Sequence, residues 1–310
     1  MALNYAEVWS PDLLEIMEQE SLTSPFVTTA VKWLSVKTFH FTQMSTSGYK
    51  SHSRLGGWNK GTFAQTDVPF TLTHDRDIQF MIDKIDVDET NETASIKNIS
   101  EVFHKTQQIP EMDAYFYSKV ATEAQKLEGY HSSTALSSYT KENVYGKLKA
   151  MLSAGKLRRY VAKGALIAYV NSTIMDLLEQ STDFTRKIEM TQIAEGGIGI
   201  ETRITDIDGV TLIEVIDDER FYDKFDFTDG FTPVASTSHK INVLIASPLT
   251  VKTVPKIASI YYFNPGQHTE GDGYLYQDRS LSDTFVFPNG KDNKIDSIYV
   301  DVDTETYSAA

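Results

Sequence analysis

The sequence predicts an α+β protein, and three observations carry that prediction. Residues 68–82 alternate at period two, with Val68, Phe70, Leu72, Ile78, Phe80 and Ile82 on one face, which is strand spacing. Residues 98–127 carry Ile99, Val102, Phe103, Ile109, Phe116, Val120, Ala124 and Leu127 at helical spacing. After Lys240 the chain turns strand-rich, through INVLIASP, ASIYYFNP, DTFVF and DSIYVDVD.

Taken in order, residues 1–35 read as an arm with short helical patches, in which Ser10 and Pro11 suit an N-cap and a first helical position. A strand is expected over Val36–Met44, and the alternating run from Val68 to Asn91 is its return. Together they form an extended hairpin over 36–84. Globular strands usually run about five or six residues. This alternation continues for about fifteen, broken on its apolar face only by His74 and Arg76. Straight, the hairpin would project roughly 40–50 Å at about 3.3 Å per residue, and a free two-stranded hairpin is marginal in water. A partner surface is therefore expected. Pro110 suits a first helical turn and would kink an interior one, so a new helix is expected from about Pro110 to Leu127, with Glu111 and Asp113 at its positive end. EGYHSSTALSSYT (128–140) reads as a linker, Glu142–Ala154 as a helix, and ALIAYV as a buried strand feeding a helix through Ile174 and Leu178. INVLIASP reads as another such strand, followed by a short helix. Asp208-Gly209 is a two-residue turn between alternating runs, a hairpin signal.

Composition narrows the function. A formal net charge of −14 argues against gripping nucleic-acid phosphates. Without cysteine there is no disulfide, zinc-thiolate site or thiol nucleophile. No run is long and apolar enough for a membrane helix, and the acidic start is unlike a secretory signal, so a cytoplasmic setting is expected. The carboxylates Asp83, Asp86, Asp88 and Glu89 suggest a cation, but a calcium loop beginning at Asp86 would need glycine and glutamate where Asn91 and Lys97 stand. IAEGGIGIE lacks phosphate-loop spacing and reads as a hairpin turn. The histidines are scattered and no nucleophile elbow occurs, so no enzyme, metal site or cofactor is expected.

One constellation stands out. The hairpin tip combines Lys50, Arg54 and Lys60 with Tyr49, Trp58 and Phe63 among four glycines (Gly48, Gly56, Gly57, Gly61). Its functional reading is docking on an acidic neighbour, for which another copy of this acidic chain would serve. Its bland reading is a surface loop. The strands leading to it are too long and regular to favour that. Lys50, Arg54, Trp58, Lys60 and Phe63 are the candidate contact residues.

The order of parts, together with YAEVWSPDLLEIMEQESLTSPF, LTHDRDIQFMIDKIDVDETN, QIPEMDAYFYSKVATEA, INVLIASPLTVK and GYLYQDRSLSDTFVF, resembles the major capsid proteins of tailed phages, the Hong Kong 97-type fold, in phages of Gram-positive hosts. The resemblance spans nearly the whole chain. It implies a non-enzymatic virion shell of hexamers and pentamers around double-stranded DNA, assembled in the host cytoplasm, with the hairpin (E-loop) lying across a neighbouring subunit. It implies an arm at 1–35, the hairpin at 36–84, a peripheral domain at 85–138 and 240–310 with a spine helix at about 110–127, and an axial domain at 139–239. A separate scaffold, a portal and decoration proteins are the partners it brings with it. Some members cross-link hairpin lysine to asparagine, and nothing in this sequence selects a pair among Lys50, Lys60, Asn264 and Asn289. The competing readings are an encapsulin-like shell around protein cargo, and an unrelated monomeric carbohydrate-binding or hydrolytic protein.

Overall fold

The computed structural model describes residues 20–29, 37–52, 56–85, 96–181, 188–191, 202–289 and 294–308. The expected turn in IAEGGIGIE and the carboxylates Asp86, Asp88 and Glu89 lie outside them. Helices and strands are mixed along the chain, as the α+β expectation holds.

The largest sheet has seven strands: β4 (His131–Ser133), β5 (Ile167–Asn171), β6 (Ile188–Thr191), β7 (Thr202–Ile207), β8 (Val210–Val215), β11 (His239–Ala246) and β14 (Ile298–Thr306). Their spatial order is β4-β14-β11-β5-β8-β7-β6, with β5–β8 and β14–β4 parallel and the other pairs antiparallel. INVLIA on β11 is apolar at nearly every position because both faces of the central strands are covered. Ile241, Leu244 and Ala246 pack with the long helix, while Val243 and Ile245 pack with helices α3 (Val144–Leu152) and α5 (Ser172–Glu179) on the other side. Asn171 caps α5, its side chain accepting from the Thr173 amide. The Asp208-Gly209 turn has φ of 52° and 79°, the two left-handed residues a tight hairpin needs. This sheet draws strands from both sides of the boundary expected near residue 239.

The 128–140 segment is stitched to that sheet. Asp301, fully buried on β14, accepts from Thr134 Oγ1 (2.7 Å), Tyr139 Oη (2.7 Å), Asn242 Nδ2 (2.8 Å) and the Ser132 hydroxyl. Burial, then the Asp301 charge, pushes the Tyr139 phenol up, so it stays a donor.

The long helix is continuous, which corrects the expected fresh start at Pro110. Helix α1 (Ile96–Phe103) runs through a π-helical turn (His104–Gln108) into α2 (Ile109–Gln125). A proline ring collides with the carbonyl four residues back, here Thr106, and the wider π turn sits at that position. The short helix expected after INVLIASP is also absent among the described residues. A turn at Ser247–Thr250 leads directly into strand β12 (Val251–Phe263).

The remaining sheet has three strands in the order β12-β13-β3, with β13 at Gly273–Val286 and β3 at His74–Asp83. Phe80 on β3 packs edge-on to Phe103 of α1, so the long helix covers one face of this sheet.

Candidate inter-subunit surface

The expected single long strand is two strands. β1 (Thr38–Thr46) pairs antiparallel with β2 (Phe63–Thr71), from Thr38↔Thr71 to Thr46↔Phe63, and the pairing ends there. The next residues, Leu72 and Thr73, belong to no strand, and β3 pairs instead with β13. The hairpin over 36–84 is thereby corrected to a nine-residue ribbon plus its tip, with rails of about 30 Å at about 3.3 Å per residue.

The break has a visible cause. Leu72 and Phe39 are fully buried in a small apolar socket with Val254, Leu281 and Phe287, against which Phe70 and Phe285 pack. Phe39 meets Phe285 edge-on at 5.2 Å between ring centroids, and Phe70 meets Phe287 at 4.9 Å. Immediately beyond, Thr73 donates both its amide (2.9 Å) and its hydroxyl (2.8 Å) to Asp283 Oδ2 of β13. Asp283 is buried, and its other oxygen accepts from Tyr115 Oη of α2 and from the Thr284 amide, each at 2.8 Å. Burial, then the Asp283 charge, pushes the Tyr115 phenol up, so it too remains a donor.

His74 and Arg76, which interrupt the apolar face in the sequence, mark where that face meets polar groups. Arg76 Nε lies 2.6 Å from Glu111 Oε1 at the start of α2, and the guanidinium also donates to the Phe227 carbonyl. His74 stacks on Tyr115 at 3.9 Å between centroids. Asp75, on the opposite face, takes two hydrogen bonds from Arg279 (3.1 and 3.0 Å) and one from Lys37 (3.0 Å), which hold its carboxyl down at about 2.

The arm is fastened by a buried ion pair that sequence reading missed. Asp113 of α2 accepts from Thr23 Oγ1 (2.7 Å), Ser21 Oγ (3.0 Å) and the Leu22 amide (3.2 Å), and lies 3.3 Å from Arg220 Nη1. Burial pushes the Asp113 carboxyl up, while Arg220 and these hydrogen bonds oppose that shift. Phe26, fully buried, then packs on Phe116 at 4.7 Å between centroids.

At the ribbon's outer end Lys50, Trp58, Lys60 and Phe63 are all exposed, and Arg54 lies outside the described residues. Trp58 is 93% exposed and its nearest ring is His52, 6.2 Å away. The backbone beneath is ordered by local bonds: Lys50 Nζ to the Lys60 carbonyl (3.2 Å), Asn59 Nδ2 to the Ser51 carbonyl (2.8 Å), and the Thr62 amide to Ser47 Oγ (2.9 Å). Gly57, at φ 71°, makes a turn that a residue with a Cβ rarely adopts. From Thr38 to Thr66 there is no acidic residue.

A surface of opposite character lies at the far end of the three-stranded sheet. Met81 and Tyr261 are exposed on one face there, with Asp77 and Asp83; Ile260 and Tyr262 are exposed on the other face, and Glu270 and Asp272 lie in the turn between β12 and β13. The tip and this sheet end are reached from the same socket in opposite directions along the chain, by β2 and by β3. The tip's own hydrogen bonds all close within the tip and ribbon among the described residues.

No protein-family model matches the sequence, and no curated protein matches it. Solved structures do. The chain is similar to the asymmetric unit of the bacteriophage PhiM1 mature capsid, with a TM-score of 0.64 at 12% identity, over 97% of this chain and 92% of that one. It matches the capsid structure of the cyanophage P-SCSP1u with a TM-score of 0.60 at 10% identity, over 97% and 94% of the two chains. A structure from Mycobacterium phage Bobi gives 0.59 at 11% identity, over 97% and 96%. The fold is shared from end to end at 10–12% sequence identity.

Proposed function

We propose that this chain, which has the fold of phage capsid structures, is a major capsid protein of a tailed phage: a structural subunit that assembles by self-association into the shell of the head. The observation that carries the reading is the full-length fold agreement with capsid chains of matching length. In Hong Kong 97-type terms, the β1–β2 ribbon is the E-loop, α1–α2 the spine helix, the three-stranded sheet with that helix the peripheral domain, and residues 139–239 with β11 and β14 completing their sheet the axial domain. The shell is built of hexamers and pentamers and encloses double-stranded DNA without reading its sequence, in keeping with the net charge of −14. Scaffold, portal and decoration proteins are its expected partners, and the virion its final location.

The ribbon is the inter-subunit clamp. Its cationic, aromatic tip (Lys50, Arg54, Trp58, Lys60, Phe63) fits the acidic, apolar sheet end around Asp77, Met81, Asp83 and Tyr261 on a neighbouring copy. A contact between two different patches of one chain is heterologous, and such contacts close into rings when the rotation permits. Expression of the chain with and without a scaffold, followed by sedimentation and electron microscopy, tests the function. Closed shells or hexamer and pentamer rings are the expected result. A stable monomer at high concentration with scaffold present overturns it, and protein cargo in place of nucleic acid within particles from an infected host would make the shell an encapsulin-like compartment.

A further inference from the structure

The ribbon is joined to the body by two attachments of different physical kinds. The socket around Phe39 and Leu72 is apolar, and apolar contact resists withdrawal while being nearly indifferent to direction. The bonds from Thr73 to Asp283 are directional, and they fall on the first residue past the socket, in the two-residue gap between β2 and β3. We propose that Asp283 is the positioning residue of the ribbon: it sets the angle at which the hairpin leaves the body, and with Asp283 released the ribbon swings as a rigid arm about Leu72–Thr73.

Three features support this assignment. Asp283 is held from the body side by groups that do not belong to the ribbon, the Tyr115 hydroxyl and (at 3.7 Å) the Lys119 ammonium of α2, and the Thr284 amide, so its second oxygen is presented in a fixed direction. Both of Thr73's donors converge on that one oxygen, which restrains the peptide plane as well as the side chain. Thr73 itself is exposed, so its hydroxyl is not needed to fill space in the core. The Lys37–Asp75–Arg279 ion pairs lie beside the same gap but are partly open to water, where such pairs hold direction weakly.

The test uses the absence of cysteine from the chain. Ser51→Cys at the tip and Lys126→Cys at the exposed C-cap of α2 accept spin labels, and the distance distribution between them is measured in the full-length, unassembled subunit. The parent should give one narrow peak. Asp283→Ala removes both acceptor oxygens, and should broaden the peak at least about twofold while the subunit still melts cooperatively. Thr73→Val removes only the hydroxyl bond and should broaden it by a smaller amount. Tyr115→Phe removes one of the body-side bonds that hold Asp283 and should broaden the peak by less than Asp283→Ala does. An unchanged width in folded Asp283→Ala overturns the proposal. If that variant does not fold, an unchanged width in Thr73→Val overturns it instead. The proposal rests on the clamp reading only for its consequence in assembly: altered ribbon angle without altered assembly would count against the clamp, and altered assembly at an unaltered angle would count against Asp283.

Discussion

Replacing Trp58 with alanine separates a docking tip from a decorative loop. In the subunit the indole is 93% exposed and its closest ring lies 6.2 Å away, so truncation removes almost no internal contact. Exposed substitutions of this kind usually change fold stability by no more than about 0.5 kcal/mol. Against a neighbour the same side chain has roughly 150–250 Å² to bury, and at about 25 cal/mol per Å² this amounts to about 4–6 kcal/mol before ordering costs. Side-chain ordering and imperfect desolvation reduce it, and a hot-spot value of about 2 kcal/mol or more is the expected remainder. At about 1.4 kcal/mol per tenfold, that weakens each contact about 30-fold. Every subunit repeats the contact, so the concentration needed for assembly should rise by at least that factor, read by light scattering across a concentration series. Thermal melting of the unassembled subunit should be unchanged. The reasoning is refuted if Trp58→Ala lowers subunit melting while leaving the assembly threshold where it was, because the indole would then pack within its own chain.

Asp113→Ala should destabilise the subunit by about 2–3 kcal/mol in denaturant titration, since it takes from Arg220 its fully buried partner, leaving only Asp217, and frees the strap at Ser21–Thr23. The Asp75 carboxyl should titrate near 2 by NMR and move up toward the ordinary carboxylate range in Arg279→Ala. Because its folded pKa lies below its unfolded value of 3.8, the Lys37–Asp75–Arg279 cluster stabilises the fold fully above about pH 4, and that contribution is lost as pH falls through about 2. Gly209→Val, at φ 79°, should lower subunit stability by about 1–2 kcal/mol, because left-handed backbone is strained for a residue with a Cβ. A shift much below that range would mean the β7–β8 turn relaxes into another conformation.

What the sequence determined by itself was local or periodic. Alternation assigned Ile78, Phe80 and Ile82 to one face of a strand, and that face is the half-buried one. Asp208-Gly209 named its own turn, because only a few residue types tolerate left-handed backbone. The run INVLIA announced a strand covered on both sides, and the basic, aromatic, glycine-rich tip announced an end whose described side chains Lys50, Trp58, Lys60 and Phe63 are exposed. Tertiary structure alone decided where the long alternating run breaks, because the two strands keep the same period and the break falls where Leu72 is buried in the Phe39 socket and Thr73 bonds to Asp283, 210 residues away. It decided likewise that the helix passes unbroken through the turn before Pro110, where packing of the apolar side of α1 and α2 outweighs the local proline penalty and a π turn absorbs it. Asp113 and Arg220 became a pair only on folding, since a carboxylate and a guanidinium 107 residues apart have no mark in spacing. Periodicity reports which face of an element is apolar, and direction comes from bonds made across the chain, which no local pattern encodes.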